Sequence, residues 1–137
     1  ELKAFALRHG ATEEDHLRRV CEVLPWARRS WLLPAWRVAG FLTGALPALV
    51  GPRAVHATIA SVETFVDHHY QQQIDRIEGR TGVDALRALL MECQADEVAH
   101  RDEALALQTR PPGALLRAWC ALVGSGSAQA VKLARLI

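Results

Sequence analysis

The chain predicts an all-α fold, and three observations carry that reading. Val, Ile and Thr are sparse beside Leu, Ala and Arg, a balance that suits helices better than strands. Apolar residues recur at helical spacing over long stretches that Gly or Pro interrupts at only a few points. Two Glu-x-x-His pairs, Glu13 with His16 and Glu97 with His100, lie inside such stretches.

The length, 137 residues, fits one domain over 1–137 that can bury a real core. A net charge of +1 gives no global reason to expect nucleic acid as a partner. The three cysteines, Cys21, Cys93 and Cys120, are odd in number and far apart. That pattern suits free thiols in a reducing compartment rather than a disulfide framework.

Residues 2–24 read as the first helix, with Leu2, Phe5, His9, Glu13, His16, Val20 and Val23 near one stripe. Gly10 costs it little, and Pro25 ends it. Residues 30–50 follow, without a charge from Val38 to Val50. This stretch is too short, and too broken by Pro and Gly, to read as a membrane span. Trp26, Trp31 and Trp36 stand at its start beside Arg28, Arg29 and Arg37, a pattern suited to anchoring at headgroup level. The alternative is a core helix covering the bundle, and the Trp/Arg flank favours the membrane. After Gly51-Pro52 a long helix runs from about 53 to 78, and Gly79-Arg80-Thr81-Gly82 forms a turn. The next helix covers 83–109 and ends at Pro111-Pro112-Gly113. A last helix covers 114–136, with a weak point at Gly124-Ser125-Gly126.

The spacing of the Glu-x-x-His pairs has a chemical meaning. Three residues advance a helix by about 300°, so each carboxylate and imidazole project from neighbouring points of one face. Held so, they can chelate a metal ion. Two such pairs, with a lone Glu from each of two further helices, enclose two metals in carboxylate-bridged di-iron bundles. Glu63 is the candidate for one lone Glu. It precedes the turn at 79–82 by about as many residues as Glu97 and His100 follow it. At 1.5 Å per residue all three lie roughly 25–30 Å from the turn, level on facing helices. Glu14, Asp15, Asp96, Asp102 and Glu103 read as solvated charges or as supports behind the ligands. His9 and His56 read as packing or surface histidines.

The stretch from Glu63 to Ile74, Glu-Thr-Phe-Val-Asp-His-His-Tyr-Gln-Gln-Gln-Ile, is the most distinctive. With Asp96-Glu97-Val98-Ala99-His100 and Glu13-Glu14-Asp15-His16-Leu17 it resembles the demethoxyubiquinone hydroxylase family of ubiquinone biosynthesis. Leu33-Pro34-Ala35-Trp36, then Gly40-Phe41 and Gly44-Ala45, resemble that family's hydrophobic third helix. The likeness implies a ferritin-like di-iron monooxygenase bound peripherally to a membrane, on the cytoplasmic face of a bacterial inner membrane or on the mitochondrial inner membrane. It implies two Fe ions, O2 as co-substrate and a polyprenylated demethoxyubiquinol whose ring is hydroxylated. Carried over, Glu13, His16, Glu63, Glu97 and His100 are metal ligands. Glu13 and Glu97 then bridge, and Glu63 is terminal. His69 and Tyr70 bracket the face that carries Glu63 and are assigned to orienting the quinol or relaying electrons and protons. The bland reading of Tyr70 is packing with a local hydrogen bond.

The family's first helix, with its own lone glutamate, is expected upstream of Glu1. The chain is therefore read as an N-terminally truncated bundle that lacks one ligand, and a remnant of this kind exposes apolar surface and can self-associate as a homo-oligomer or join a biosynthetic complex. Two other readings stand beside the hydroxylase. One is a ferritin- or rubrerythrin-like oxidase; the other is an inactive helical membrane-associated protein.

Overall fold

A computed structural model describes residues 1–135, the Arg28 side chain excepted, so the expected last turn at 136 and the Arg28 part of the anchor lie outside the described residues. Five α-helices follow in order: α1 Leu2–Val23, α2 Leu33–Val50, α3 Pro52–Ile77, α4 Asp84–Ala106 and α5 Ala114–Ala134. A short 3-10 turn, Trp26–Arg28, lies between α1 and α2. The all-α expectation and the order of elements agree with this architecture. Gly124–Gly126 does not interrupt α5.

Two turns set the topology. Gly51 ends α2 and precedes the first residue of α3, with φ 128° and ψ 177°. Only glycine adopts that backbone at little cost, so the chain reverses there without a linker. Pro52 starts α3 at a position where its missing N–H is no loss. At the α3–α4 turn Gly79 and Gly82 both take positive φ, 71° and 77°. They close the hairpin that the sequence places there.

α3 is the centre of the bundle. It packs against α4, α5 and α2, while α1 lies along α4. Its inward positions Ala54, Ala57 and Ala60 are small and buried, which lets neighbouring helices approach closely. Trp119 of α5 donates its indole N–H to Thr58 Oγ1 at 2.9 Å, and Ser61 Oγ donates to the Cys120 carbonyl at 3.0 Å. At the other side Phe5 of α1 meets Ala60 of α3 and Ala104 of α4, all three buried. Full burial of the phenyl ring contributes about 2–3 kcal/mol. That contact is the apolar tie of α1 to the hairpin.

The outer surface is strongly apolar on one side. In α2 only Pro47 is buried, and Phe41, Leu49 and Val50 are open to solvent. Against the expectation of a stretch too short and too broken for a span, the helix runs unbroken through Pro47 over 18 residues and is long and apolar enough to cross a membrane by length and composition. A groove of about 890 Å³ runs between the α2–α3 junction and the start of α5, lined by Leu46, Leu49, Val50, Leu115, Leu116 and Trp119.

Candidate metal centre

α1 and α4 run antiparallel, and four polar pairs mark their register: Arg8 with Glu103, His9 with Glu103, His16 with Asp96, and Arg19 with Glu92. That register brings the two Glu-x-x-His pairs face to face. α3 and α4 are also antiparallel, so Glu63 reaches the same level from the third side. Glu13, Glu63, Glu97 and His100 each offer a ligand atom, and these atoms lie within 4.8 Å of one another.

Glu97 sits in the middle and is only 3 % exposed. Its Oε1 lies 3.2 Å from His16 Nδ1, and its Oε2 lies 3.5 Å from His100 Nδ1. One oxygen thus faces each imidazole, the disposition of a carboxylate able to bridge. His100 Nδ1 is also 3.5 Å from Glu13 Oε1. The far nitrogen of His16, Nε2, pairs with Asp96 Oδ2 at 3.0 Å. An imidazole whose outer nitrogen is held by a carboxylate presents the other nitrogen to a metal.

Three buried polar atoms at this point have no hydrogen-bond partner: His16 Nδ1, His100 Nδ1 and Glu97 Oε2. An unpaired buried nitrogen or carboxylate oxygen costs about 1–3 kcal/mol, and more when charged. Here all three lie around the Glu97 carboxylate, His16 at one oxygen and His100 at the other. Divalent cations would satisfy them; Glu13, Glu63, Glu97 and His100 offer atoms to one ion, and His16 lies outside that group.

Without a cation, burial favours the protonated forms of Glu97 and Glu63. Burial pushes Glu97 up to about 9, helped by Glu13 and Glu63 nearby. Burial likewise raises Glu63 to about 7, and a hydrogen bond from Glu97 opposes that rise. Burial holds His100 below its usual range, with His9 adding to the effect.

His69 and Tyr70 part company. Seven residues advance α3 by about 700°, which returns Tyr70 to the face of Glu63, whereas His69 stands about 120° away. Tyr70 neighbours Cys93, one turn before Glu97, and burial raises the pKa of its hydroxyl well above the ordinary value. The His69 ring instead stacks on Phe65, centroids 5.9 Å apart, on the side where Arg135 and Arg76 are the charges that count. The two residues therefore do not bracket one face. Only Tyr70 borders the cluster.

The sequence reads His9 as a packing or surface histidine and does not place it against the cluster. It is buried and stacks on His100 with ring centroids 3.9 Å apart. Its i, i+4 relation to Glu13 was the available signal.

An all-α, ferritin-like bundle with carboxylates and imidazoles from three helices gathered at one point defines the class: a helical protein with a group compatible with a metal site. The chain belongs to the ubiquinone biosynthesis protein COQ7 family, whose model matches residues 1–134. It is 39 % identical over 101 residues to the 3-demethoxyubiquinol 3-hydroxylase of Rhodospirillum rubrum, which covers 70 % of this chain and 46 % of that protein. It is 33 % identical over 94 residues to the NADPH-dependent 3-demethoxyubiquinone 3-hydroxylase, mitochondrial, of Homo sapiens, covering 66 % and 43 %. Against the 5-demethoxyubiquinone hydroxylase, mitochondrial, of Saccharomyces cerevisiae it is 30 % identical over 115 residues, covering 72 % and 49 %. The chain spans about half the length of the curated relatives it matches. No solved structure matches it.

Proposed function

We propose that this protein takes part in the hydroxylation of a polyprenylated demethoxyubiquinol ring through a di-iron centre held by Glu13, His16, Glu63, Glu97 and His100. The grouping of three unpartnered buried atoms, His16 Nδ1, His100 Nδ1 and Glu97 Oε2, carries the metal part of this reading. Family membership and the names of the relatives support the reaction. When bound, two iron ions supply the activation of O2 that a hydroxylation of this kind needs.

The protein's own groups have separate tasks. Glu97 faces both imidazoles and would hold the metals together with them, and Glu13 and Glu63, which flank it, would complete the carboxylate donors. Asp96 holds the His16 ring by its outer nitrogen. Tyr70, on the face of Glu63, orients the quinol ring and passes protons and electrons at the edge of the site. His69 backs it from the adjoining face of α3.

The same proposal places α2 at a membrane surface, bound peripherally. Trp26 and Trp31 are 76 % and 70 % exposed at its entry, and Arg29 lies over the Trp26 ring at 4.9 Å. Aromatic rings and cations side by side suit the headgroup layer, and the open apolar face of α2 suits the acyl layer beneath it. By this reading the groove against α5 admits the isoprenoid tail of the substrate. The bilayer is the cytoplasmic face of a bacterial inner membrane, or the mitochondrial inner membrane.

Iron content after anaerobic Fe(II) loading tests the central claim. Saturable binding approaching two ions per chain, lost in Glu97→Gln, is the expected result. Absence of iron binding would leave a metal-free helical protein and overturn the hydroxylase reading.

A further inference from the structure

The two imidazoles of the cluster are held in different ways. His16 has a carboxylate on its outer nitrogen, Asp96 at 3.0 Å. Among the described residues, the carboxylates paired with His100 reach only its Nδ1, the atom aimed into the cluster. Something else has to fix the plane of the His100 ring.

A column of rings does so. His9 lies on His100 with centroids 3.9 Å apart and planes within 18°. On its other side His9 meets Phe5, centroids 4.0 Å apart at 37°. Phe5 is 2 % exposed and belongs to the hydrophobic cluster with Ala60 and Ala104, and His56 packs edge-on against it at 5.0 Å. Phe5, His9 and Glu13 follow one another at i, i+4 along α1, so the column leads from the core to the cluster. Rotation of His9 is blocked as well. Its Nε2 pairs with Glu103 Oε2 at 2.9 Å, and Glu103 is itself paired with Arg8.

We propose that His9, locked by Glu103 and backed by Phe5, is a positioning residue that keeps the His100 ring turned with Nδ1 towards Glu13 and Glu97. His9 does not ligate. The inference rests on the reading of the cluster as a metal centre, and it says that one of the two ligand histidines is oriented by stacking where the other is oriented by a hydrogen bond. Losing an outer support of a ligand histidine weakens metal binding by about 10–100-fold.

The test is a Co(II) titration of the whole chain, followed by visible absorption and by the paramagnetically shifted ring protons of the ligand histidines. His9→Met removes the ring and should weaken Co(II) binding by about 10–100-fold. It should also move or broaden the His100 signals and leave those of His16 in place. His9→Phe keeps a ring in the column and should restore affinity to about threefold of the parent. A merely structural role would move both histidines together. If His9→Met misfolds by circular dichroism, His9→Phe decides alone, since it tests whether a ring without the Glu103 bond suffices. Equal affinities and spectra for His9→Met and the parent would overturn the proposal, as would a His9→Phe no better than His9→Met. A parent chain that binds no Co(II) would instead overturn the metal centre itself, and the positioning role with it.

Discussion

The Glu97 carboxylate faces His16 Nδ1 across 3.2 Å, from α4 to α1, at a depth where neither residue has water to answer it. No hydrogen bond is completed there, because the imidazole nitrogen is left without a partner. The contact joins the two Glu-x-x-His pairs of the sequence into one site. It also exposes that site to direct experiment.

Glu97→Gln should leave the metal-free fold almost unchanged, within about 1 kcal/mol, because a neutral isostere replaces a carboxyl that is already protonated at neutral pH. The same change should remove most of the rise in melting temperature that Fe(II) or Mn(II) gives the parent. Thermal unfolding with and without metal measures both effects.

The pH dependence of the metal-free protein has a definite sign. Glu97 keeps its proton in the folded state to about pH 9, whereas an unfolded glutamate loses it near 4.5. Raising the pH therefore favours the unfolded chain, by at most about 1.4 kcal/mol per unit for one group. Below neutrality His100 and His69, whose pKa values are lowered by burial, work in the opposite sense. From about pH 7 to 8.5 the Glu97 effect stands clear, so urea midpoints should fall there and Glu97→Gln should flatten the fall.

Asp96→Asn should weaken iron binding by about 10–100-fold, since it slackens the hydrogen bond that orients His16. The Asp96 side chain is half exposed, so overall stability should change little. Metal titration beside a denaturation curve separates the two.

Tyr70→Phe preserves the packing of the ring and removes the hydroxyl beside Cys93. In protein loaded with iron and given quinol, turnover should drop at least about tenfold with little change in the quinol KM. Unchanged turnover would confine Tyr70 to packing.

Liposome flotation addresses α2. The parent should float with anionic vesicles, and Phe41→Asp with Leu49→Asp should keep it in the soluble fraction. Those side chains are 71 % and 85 % exposed, so the double change adds charge without disturbing the core. Each apolar side chain withdrawn from lipid costs about 1.5–3 kcal/mol, enough to lower the bound fraction more than tenfold.

Much of this protein is legible in its amino-acid order. Helical spacing, with Gly51-Pro52, Gly79 to Gly82 and Pro111-Pro112-Gly113 as punctuation, marks five helices within a residue or three of their ends. Counting back from the α3–α4 turn puts Glu63 level with Glu97 and His100, because rise per residue is constant along a helix. The pairs Glu13/His16 and Glu97/His100 are local, so spacing alone sets each on one face.

Other features were decided only by the packed structure. Periodicity says which residues share a face, but not which neighbour that face meets or how far each helix is turned about its axis. The antiparallel register of α1 on α4 decides that Asp96 reaches His16, that Glu103 reaches His9 and that His9 covers His100. The stacking of the His69 ring on Phe65, away from the face that Tyr70 shares with Glu63, is likewise a matter of packing. Those contacts of α1 with α4 link residues roughly 80 to 95 positions apart, and the burial of Phe5 against Ala60 and Ala104 together with the polar pairs between α1 and α4 holds them in register.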